Sequence, residues 1–213
     1  MMRLGSRYRL NSLRAYRVRF EANRVLDVGC HDGAFLSSLE SVMRVGADVA
    51  SSSPQGSILF VQADGRRLPF RSDSFDQAVA LDVIEHVPDD VKLMREMLRV
   101  TQHGGSIFVT TPSVNIRIFP PFLTGWISRK WGHHWRRGYT EDGLRALVGD
   151  GRSCFIMEYN APAYRFWYLP LRVLSVLWPA IAQRLVSWAA RWDARHPEGH
   201  RGFYWMWCKK GNV

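Results

Sequence analysis

A glycine-containing segment at residues 27–33 has the residue types of a ligand-binding turn. Asp27 stands two residues before Gly29, and the segment ends at Gly33. A short and largely apolar run leads into the segment. Glycines let a backbone come close to a ligand, and the first amides of a following helix are free to bind it. A carboxylate at this point suits a ligand that carries positive charge. The segment does not fit Gly-x-Gly-x-x-Gly, which weighs against a nicotinamide-dependent dehydrogenase.

The elements that position this turn alternate between strands and helices. Apolar runs predict strands at residues 25–29, 45–49, 58–63, 75–81, 106–111, 154–159 and 202–209. Amphipathic spacing predicts helices at residues 32–40 and 89–100, the second closed by residues 103–105. Thr140 is the predicted N-cap of another short helix, with two acidic residues in its first turn. This alternation predicts an α/β fold with a mainly parallel sheet and helices on both faces.

Residues 25–113 resemble class I S-adenosylmethionine-dependent methyltransferases, and in particular their small-molecule, methyltransferase type 11-like branch. The turn at residues 27–33 is similar to the first motif of that family. More specific similarities are Leu68-Pro69-Phe70, Ser74-Phe75-Asp76 and Ile84-Glu85-His86-Val87. The resemblance implies a Rossmann-like, mainly parallel seven-stranded sheet, and the apolar stretch between residues 159 and 202 predicts a helical insertion between its last two strands. It also implies S-adenosylmethionine as the cofactor, whose sulfonium and ammonium groups suit Asp27.

The resemblance implies a set of cofactor-binding residues. Asp48 lies nineteen residues after Gly29 at the end of the second predicted strand, where an acid of this family bonds the ribose hydroxyls. Asp64 and Gly65 follow the third strand, in the segment that meets the adenine. The full predicted set is Asp27, Gly29, Cys30, His31, Gly33, Asp48, Asp64, Gly65 and Leu81.

One residue departs from the family pattern. His31 stands where the family has the middle glycine of its first motif. A side chain there either points away from the cofactor, with the loop adjusting, or touches the methionine end of the cofactor. We expect the first arrangement, because Gly29 and Gly33 are both present.

Histidines are the candidate general bases, since a base is needed when the acceptor loses a proton. His133 and His134 precede a Tyr-Thr pair, a segment that resembles one reaching toward the acceptor pocket in many relatives. We predict His134 as the catalytic residue and a strand-end bracing role for His86. No Cys, Asp or Glu partner has zinc-ligand spacing, so we predict no metal.

Charge divides the chain into three parts. The net charge is +6 over residues 1–24, −5 over residues 25–113 and +9 over residues 114–213, which sum to the +10 of the whole chain. We expect a basic helical segment at 1–24, in which Arg3, Arg7, Arg14 and Arg17 recur at helical spacing. A methyltransferase domain at 25–213 follows, with a hydrophobic helical insertion at 160–200. Basic ends favour an anionic partner.

The insertion combines apolar residues with arginines that recur on one helical side. Such a helix is typical of a membrane interface, and a cap over the substrate pocket explains the pattern equally well. We therefore expect a small-molecule acceptor that is lipid-like or membrane-linked, and peripheral contact with an anionic membrane. An RNA methyltransferase and a protein that kept the fold without activity are the alternatives. Oligomeric state stays open.

Three cysteines, Cys30, Cys154 and Cys208, are too few and too far apart to predict a disulfide framework. This pattern suits a reducing compartment and predicts a cytoplasmic location. No uncharged stretch reaches the roughly 18 to 20 residues that span a bilayer.

Overall fold

A seven-stranded sheet forms the centre of the protein. The structure is a computed structural model that describes residues 4–41, 43–51, 57–130, 138–149, 152–199 and 202–211. The strands are β1 Arg24–Val28, β2 Met43–Asp48, β3 Leu59–Gln62, β4 Phe75–Leu81, β5 Thr101–Pro112, β6 Cys154–Tyr159 and β7 Phe203–Lys209. Their order is β3-β2-β1-β4-β5-β7-β6, and β7 runs antiparallel to both of its neighbours. The predicted mainly parallel, Rossmann-like sheet is confirmed.

Helices cover both faces of the sheet. They are α1 Leu4–Ala15, α2 Asp90–Val100, α3 Thr124–Lys130, α4 Glu141–Val148, α5 Pro162–Leu177 and α6 Pro179–Arg195. In β5, Phe108 packs with the cluster that contains residues of α1, α5 and α6, whereas Ile107 and Val109 pack with residues of α2 and α4. This alternation of sides is the two-residue period of a strand, and it gives the sheet two apolar cores.

Two helix starts agree with the sequence prediction. The Asp89 side chain accepts a hydrogen bond from the Lys92 amide at 2.9 Å, and Thr140 Oγ1 accepts one from the Gly143 amide at 3.1 Å. Each cap satisfies an amide that has no partner within its helix. The predicted N-cap at Thr140 is therefore confirmed.

The predicted helix at residues 32–40 is wrong. Only a short 3-10 turn, Leu36–Ser38, forms there. Ser37 and Ser38 donate their hydroxyls to the carbonyls of Gly33 and Phe35, at 3.0 and 2.7 Å. Serine side chains that bond nearby backbone groups compete with a regular helix. In addition, β5 begins five residues earlier than predicted and takes in the glycine pair at 104–105.

The chain between β6 and β7 forms a helical hairpin, α5 followed by α6, which turns at Trp178. Pro170 lies inside α5 without ending it, whereas Pro179 starts α6. Helix α6 packs against both α5 and α1. Within the described residues, no helix combines the length and the apolar character needed to cross a membrane.

Cys154 and Cys208 form a disulfide, which corrects the expectation drawn from the cysteine pattern. The two residues lie directly opposite each other in the antiparallel β6–β7 pair, with Cα atoms 4.2 Å apart. A separation of 54 residues hides this proximity in the sequence. Cys30 is a buried free thiol. The cysteine argument for a reducing compartment therefore fails, because disulfides persist mainly in oxidising compartments.

Candidate functional site

A cavity of about 680 Å³ opens at the carboxyl ends of β1, β2 and β4. Ligands of open α/β sheets bind at this edge. Eight of the nine residues predicted to bind the cofactor line this cavity: Asp27, Gly29, Cys30, His31, Asp48, Asp64, Gly65 and Leu81. Gly33 lies outside the lining and shapes the turn beneath it.

The turn after β1 depends on its two glycines. Gly29 has φ 76° and Gly33 has φ 69°, a backbone region that residues with a side chain rarely adopt. The Gly29 amide donates to the Ala47 carbonyl at 2.7 Å, and the Gly33 amide donates to the Cys30 carbonyl at 2.8 Å. A Cβ atom at Gly29 would overlap the side chain of Val83. Glycine is therefore required at this position by packing as well as by backbone conformation.

His31 occupies the left-handed region with φ 47°. Its amide donates to Asp48 Oδ2 at 2.9 Å, which fixes the turn against the end of β2. The imidazole Nδ1 lies 3.8 Å from Asp32 Oδ1, and nearly half of the side chain is exposed. The loop therefore keeps at this position a left-handed backbone conformation, which favours glycine, although the residue is a histidine.

Asp27 is the most perturbed acid at the polar end of the cavity. Its carboxyl group is buried, and burial raises its pKa to about 8, with Arg9 acting in the opposite direction. Among the described residues, no hydrogen-bond donor contacts this carboxyl group. Burial likewise raises the pKa of the Cys30 thiol, to about 12. The site therefore holds an acid that a cationic group would complement.

Asp48 and Asp64 differ in how they are held. The Asp48 carboxylate accepts from the amides of His31 and Ala50, both at 2.9 Å. Asp64 pairs with the guanidinium of Arg66 at 2.6 Å, and this hydrogen bonding lowers the pKa of Asp64. Both carboxylates line the cavity, as expected, while Asp64 already has a charged partner.

A polar group that the sequence did not predict lies past the end of β4. Asp82 has φ 53°, and its Oδ1 accepts from Thr110 Oγ1 at 2.7 Å. Its Oδ2 accepts from Arg9 Nε at 2.9 Å and also contacts Arg9 Nη2. Asp82 lies within residues 25–113, which carry the family resemblance, whereas Arg9 lies in α1, outside that range. The ion pair joins α1 to the edge of the sheet.

Glu85 is buried next to this ion pair. Burial raises its pKa to about 8, and the charge of Asp82 adds to the effect. Thr111 Oγ1 donates to Glu85 Oε2 at 3.0 Å, and His86 Nε2 lies 4.0 Å from Glu85 Oε1. Glu85 and His86 both line the cavity. Glu85 can therefore exchange a proton at a pH close to neutral.

Aromatic residues form another part of the cavity lining, which we call the aromatic wall. Tyr8 of α1 stacks on Tyr164 of α5 with ring centroids 4.0 Å apart. Tyr159, Tyr168 and Phe203 line the same part of the cavity. Helix α1 also contributes Leu4 and Leu10, so that the N-terminal helix and the hairpin enclose an apolar half of the cavity.

The predicted catalytic residue, His134, lies outside the described residues, as does His133. Among the residues that are described, no group of three or more His, Cys, Asp or Glu side chains has an arrangement that could hold a metal ion. The absence of a bound metal stays a prediction.

Comparison with known proteins finds similarity to methyltransferases over part of the chain. Residues 26–109 match the family described as "Methyltransferase domain". An uncharacterized methyltransferase of Mycobacterium tuberculosis is 30% identical over 138 residues, which cover 54% of this chain and 53% of that protein. The chain therefore spans about half the length of this relative. A ubiquinone biosynthesis O-methyltransferase of Cereibacter sphaeroides is 28% identical over 181 residues, covering 74% of this chain and 72% of that protein.

A solved structure shares the fold over nearly the whole chain. It is phosphoethanolamine N-methyltransferase 2 of Haemonchus contortus in complex with S-adenosyl-L-methionine. The TM-score is 0.63 at 17% identity, and the match covers 95% of this chain and 52% of that one. At this identity the likeness establishes the fold.

Proposed function

We propose that the protein is a class I S-adenosylmethionine-dependent methyltransferase, in line with the match of residues 26–109 to a methyltransferase domain, and that it methylates a small acceptor with a lipid-like, largely apolar body. The observation that carries the proposal is the buried Asp27 carboxyl group, which lines the cavity beside the Gly29 turn. A cationic cofactor matches this group, because a neighbouring positive charge favours the ionised form of a buried acid.

The residues at the polar end fit the cofactor. S-Adenosylmethionine supplies a methyl group on a positively charged sulfonium, which is already a good leaving group. Asp27 would complement its cationic end, and the carboxylate of Asp48 would accept hydrogen bonds from ribose hydroxyls. Gly29 lets the backbone approach, and Asp64 and Gly65 would border the adenine. The protein's main task is then to hold the acceptor in line with the methyl group.

The aromatic wall supports an acceptor with an apolar body. Tyr159, Tyr164 and Tyr168 offer large apolar surfaces that end in polar groups. Asp82, held by Thr110 and Arg9, offers a carboxylate to a hydroxyl or amine of the acceptor. The apolar half of the cavity would hold the remainder of the molecule and keep water away from the transfer.

An acceptor hydroxyl requires a base, and two residues support that role. We retain His134 as the proposed base on the strength of its sequence segment. Glu85 is the second candidate, because its pKa of about 8 lies close to neutral pH, where a general base is most effective.

Labelled cofactor tests the proposal when it is incubated with the protein and either a lipid extract or a polar extract. We expect labelled product in the lipid extract. Asp48→Ala should weaken cofactor binding by about 1 to 3 kcal/mol, because hydrogen bonds to the ribose are lost. Asp142→Ala, at an exposed position of α4, is the control. Product from the polar extract alone would contradict a lipid-like acceptor. Absence of cofactor binding in calorimetry would contradict the enzymatic function.

A further inference from the structure

We propose that the α5–α6 hairpin is a docking surface for an anionic lipid membrane. Its outer side carries large apolar side chains, each at least 41% exposed, which we call the hairpin face. These side chains are Phe166, Val173, Val176, Leu177, Trp178, Ile181, Leu185 and Trp188. Within α6 the exposed apolar residues recur at positions 181, 185 and 188, which is the spacing of one helical side.

The hairpin face is distinct from the sides of α5 and α6 that pack inward. In α6 the buried residues include Ala182, Val186 and Ala190, about 100° or more away from Ile181 around the helix. Packing on α5 and α1 therefore satisfies one apolar side of α6 and leaves a second one exposed. The surface extends to the segment between β5 and α3, since Phe119 stacks on Phe166 with ring centroids 4.9 Å apart.

Within α5 and α6 the exposed charged side chains are all positive. Arg172, Arg184, Arg191 and Arg195 are exposed on the two helices. Asp193, the only acid between residues 162 and 195, is buried and accepts hydrogen bonds from α1 and α5. An anionic lipid surface complements this arrangement, with tryptophans at the level of the headgroups. A second copy of the chain would bring arginines against arginines, so like-charge repulsion opposes self-association through this face.

Helix α1 adds basic residues at the same edge. Arg7 and Arg14 line a small hollow together with Ser187 of α6. Ser187 lies between Arg184 and Arg191 in the sequence. The predicted basic stripe of the N-terminus is only partly present: α1 ends at Ala15, so Arg17 lies beyond the helix, and Arg3 lies outside the described residues. Two arginines of α1 and three of α6 thus form one basic border.

The hairpin face lies next to the opening of the cavity. Tyr168 and Arg172 of α5 line the cavity, and Val173, the next residue, belongs to the hairpin face. A protein docked by this surface presents the apolar half of its cavity toward the lipid. Membrane docking itself does not depend on the proposed methyl transfer and is measured without it.

Flotation with lipid vesicles tests the docking surface. We expect the protein to bind vesicles of phosphatidylcholine with phosphatidylglycerol at low salt. Its affinity for vesicles of pure phosphatidylcholine should be lower by about tenfold or more. Binding should weaken as salt is raised, because screening shortens the reach of the arginine charges. The variant Arg184→Glu/Arg191→Glu/Arg195→Glu should lose about tenfold or more in affinity, and Leu177→Ser/Trp178→Ser should also bind more weakly.

A matched control separates this surface from net charge alone. Arg67→Glu/Arg71→Glu/Arg95→Glu makes the same change in net charge at exposed positions in and near α2, and it should bind like the unchanged protein. Circular dichroism confirms that each variant is folded. Equal binding to neutral and anionic vesicles, binding to neither, or equal loss in the control variant would overturn the proposal. So would a stable dimer in analytical ultracentrifugation that the Leu177→Ser/Trp178→Ser variant abolishes.

Discussion

The Asp27 carboxyl group carries its proton at pH 7 when no ligand is bound, because burial raises its pKa to about 8. A cationic cofactor group beside it would lower that pKa, so binding should release close to one proton per molecule bound at pH 7. Calorimetry in phosphate and in Tris measures this release as a difference in binding enthalpy. Asp27→Asn should abolish the difference and weaken binding.

The neighbouring acid provides the control for this prediction. Asp32→Asn makes the same substitution in the same turn, at a more exposed side chain, and should keep the proton release. Equal enthalpies in the two buffers for the unchanged protein would contradict the raised pKa. The same shift makes the free energy of unfolding fall as the pH rises from about 4 to about 8, since the unfolded chain gives up its proton first.

His134 and Glu85 are distinguished by the pH dependence of turnover. A base acts when it is deprotonated, so the rate should rise with pH through the pKa of the working base. If His134 is that base, the rise lies near the ordinary pKa of histidine, about 6.5. His134→Ala should then lower turnover about a hundredfold or more and leave cofactor affinity unchanged. His133→Ala is the matched control. A rise near pH 8 that Glu85→Gln removes would instead identify Glu85.

At the scale of elements, short apolar runs bounded by turns were sufficient to predict the strands around the site. The 25–29 and 75–81 predictions lie within one residue of β1 and β4. The helix predicted after the turn fails because Ser37 and Ser38 bond local carbonyls, a competition that apolar spacing does not reveal. Residues that meet only in three dimensions were missed for another reason: Arg9 and Asp82 are 73 residues apart, and their contact depends on how α1 docks.

The β6–β7 pair should be cross-linked in the isolated protein. Alkylation of the unfolded, unreduced chain should label Cys30 alone, and reduction should expose all three cysteines. Cys154→Ser/Cys208→Ser should lower the free energy of unfolding by about 2 to 4 kcal/mol, because the unfolded chain loses a constraint. Cys30→Ala retains the pair and serves as the control for labelling. Labelling of three cysteines before reduction would contradict the disulfide.

At the scale of the whole molecule, one buried acid connects the three helices that enclose the apolar half of the cavity. Asp193 of α6 accepts from the Tyr8 hydroxyl of α1 and from the Ala163 amide at the start of α5, both at 2.7 Å. It also accepts from the Tyr164 amide at 3.2 Å. These bonds satisfy amides that a helix start leaves unpaired. The docking of α1 on the hairpin therefore rests on a residue that is 185 positions away from Tyr8 in the sequence.

Asp193→Ala should release this arrangement while the sheet stays folded. Each buried donor left without an acceptor costs about 1 to 3 kcal/mol, so we expect the free energy of unfolding to fall by about 3 kcal/mol or more. Amide hydrogen exchange should accelerate in α1 and at the start of α5, and remain slow in β1 and β4. Tyr8→Phe removes only one of the three bonds and should cost about 1 kcal/mol. Equal losses in the two variants would mean that α1 docks through apolar packing and that Asp193 does not link the helices.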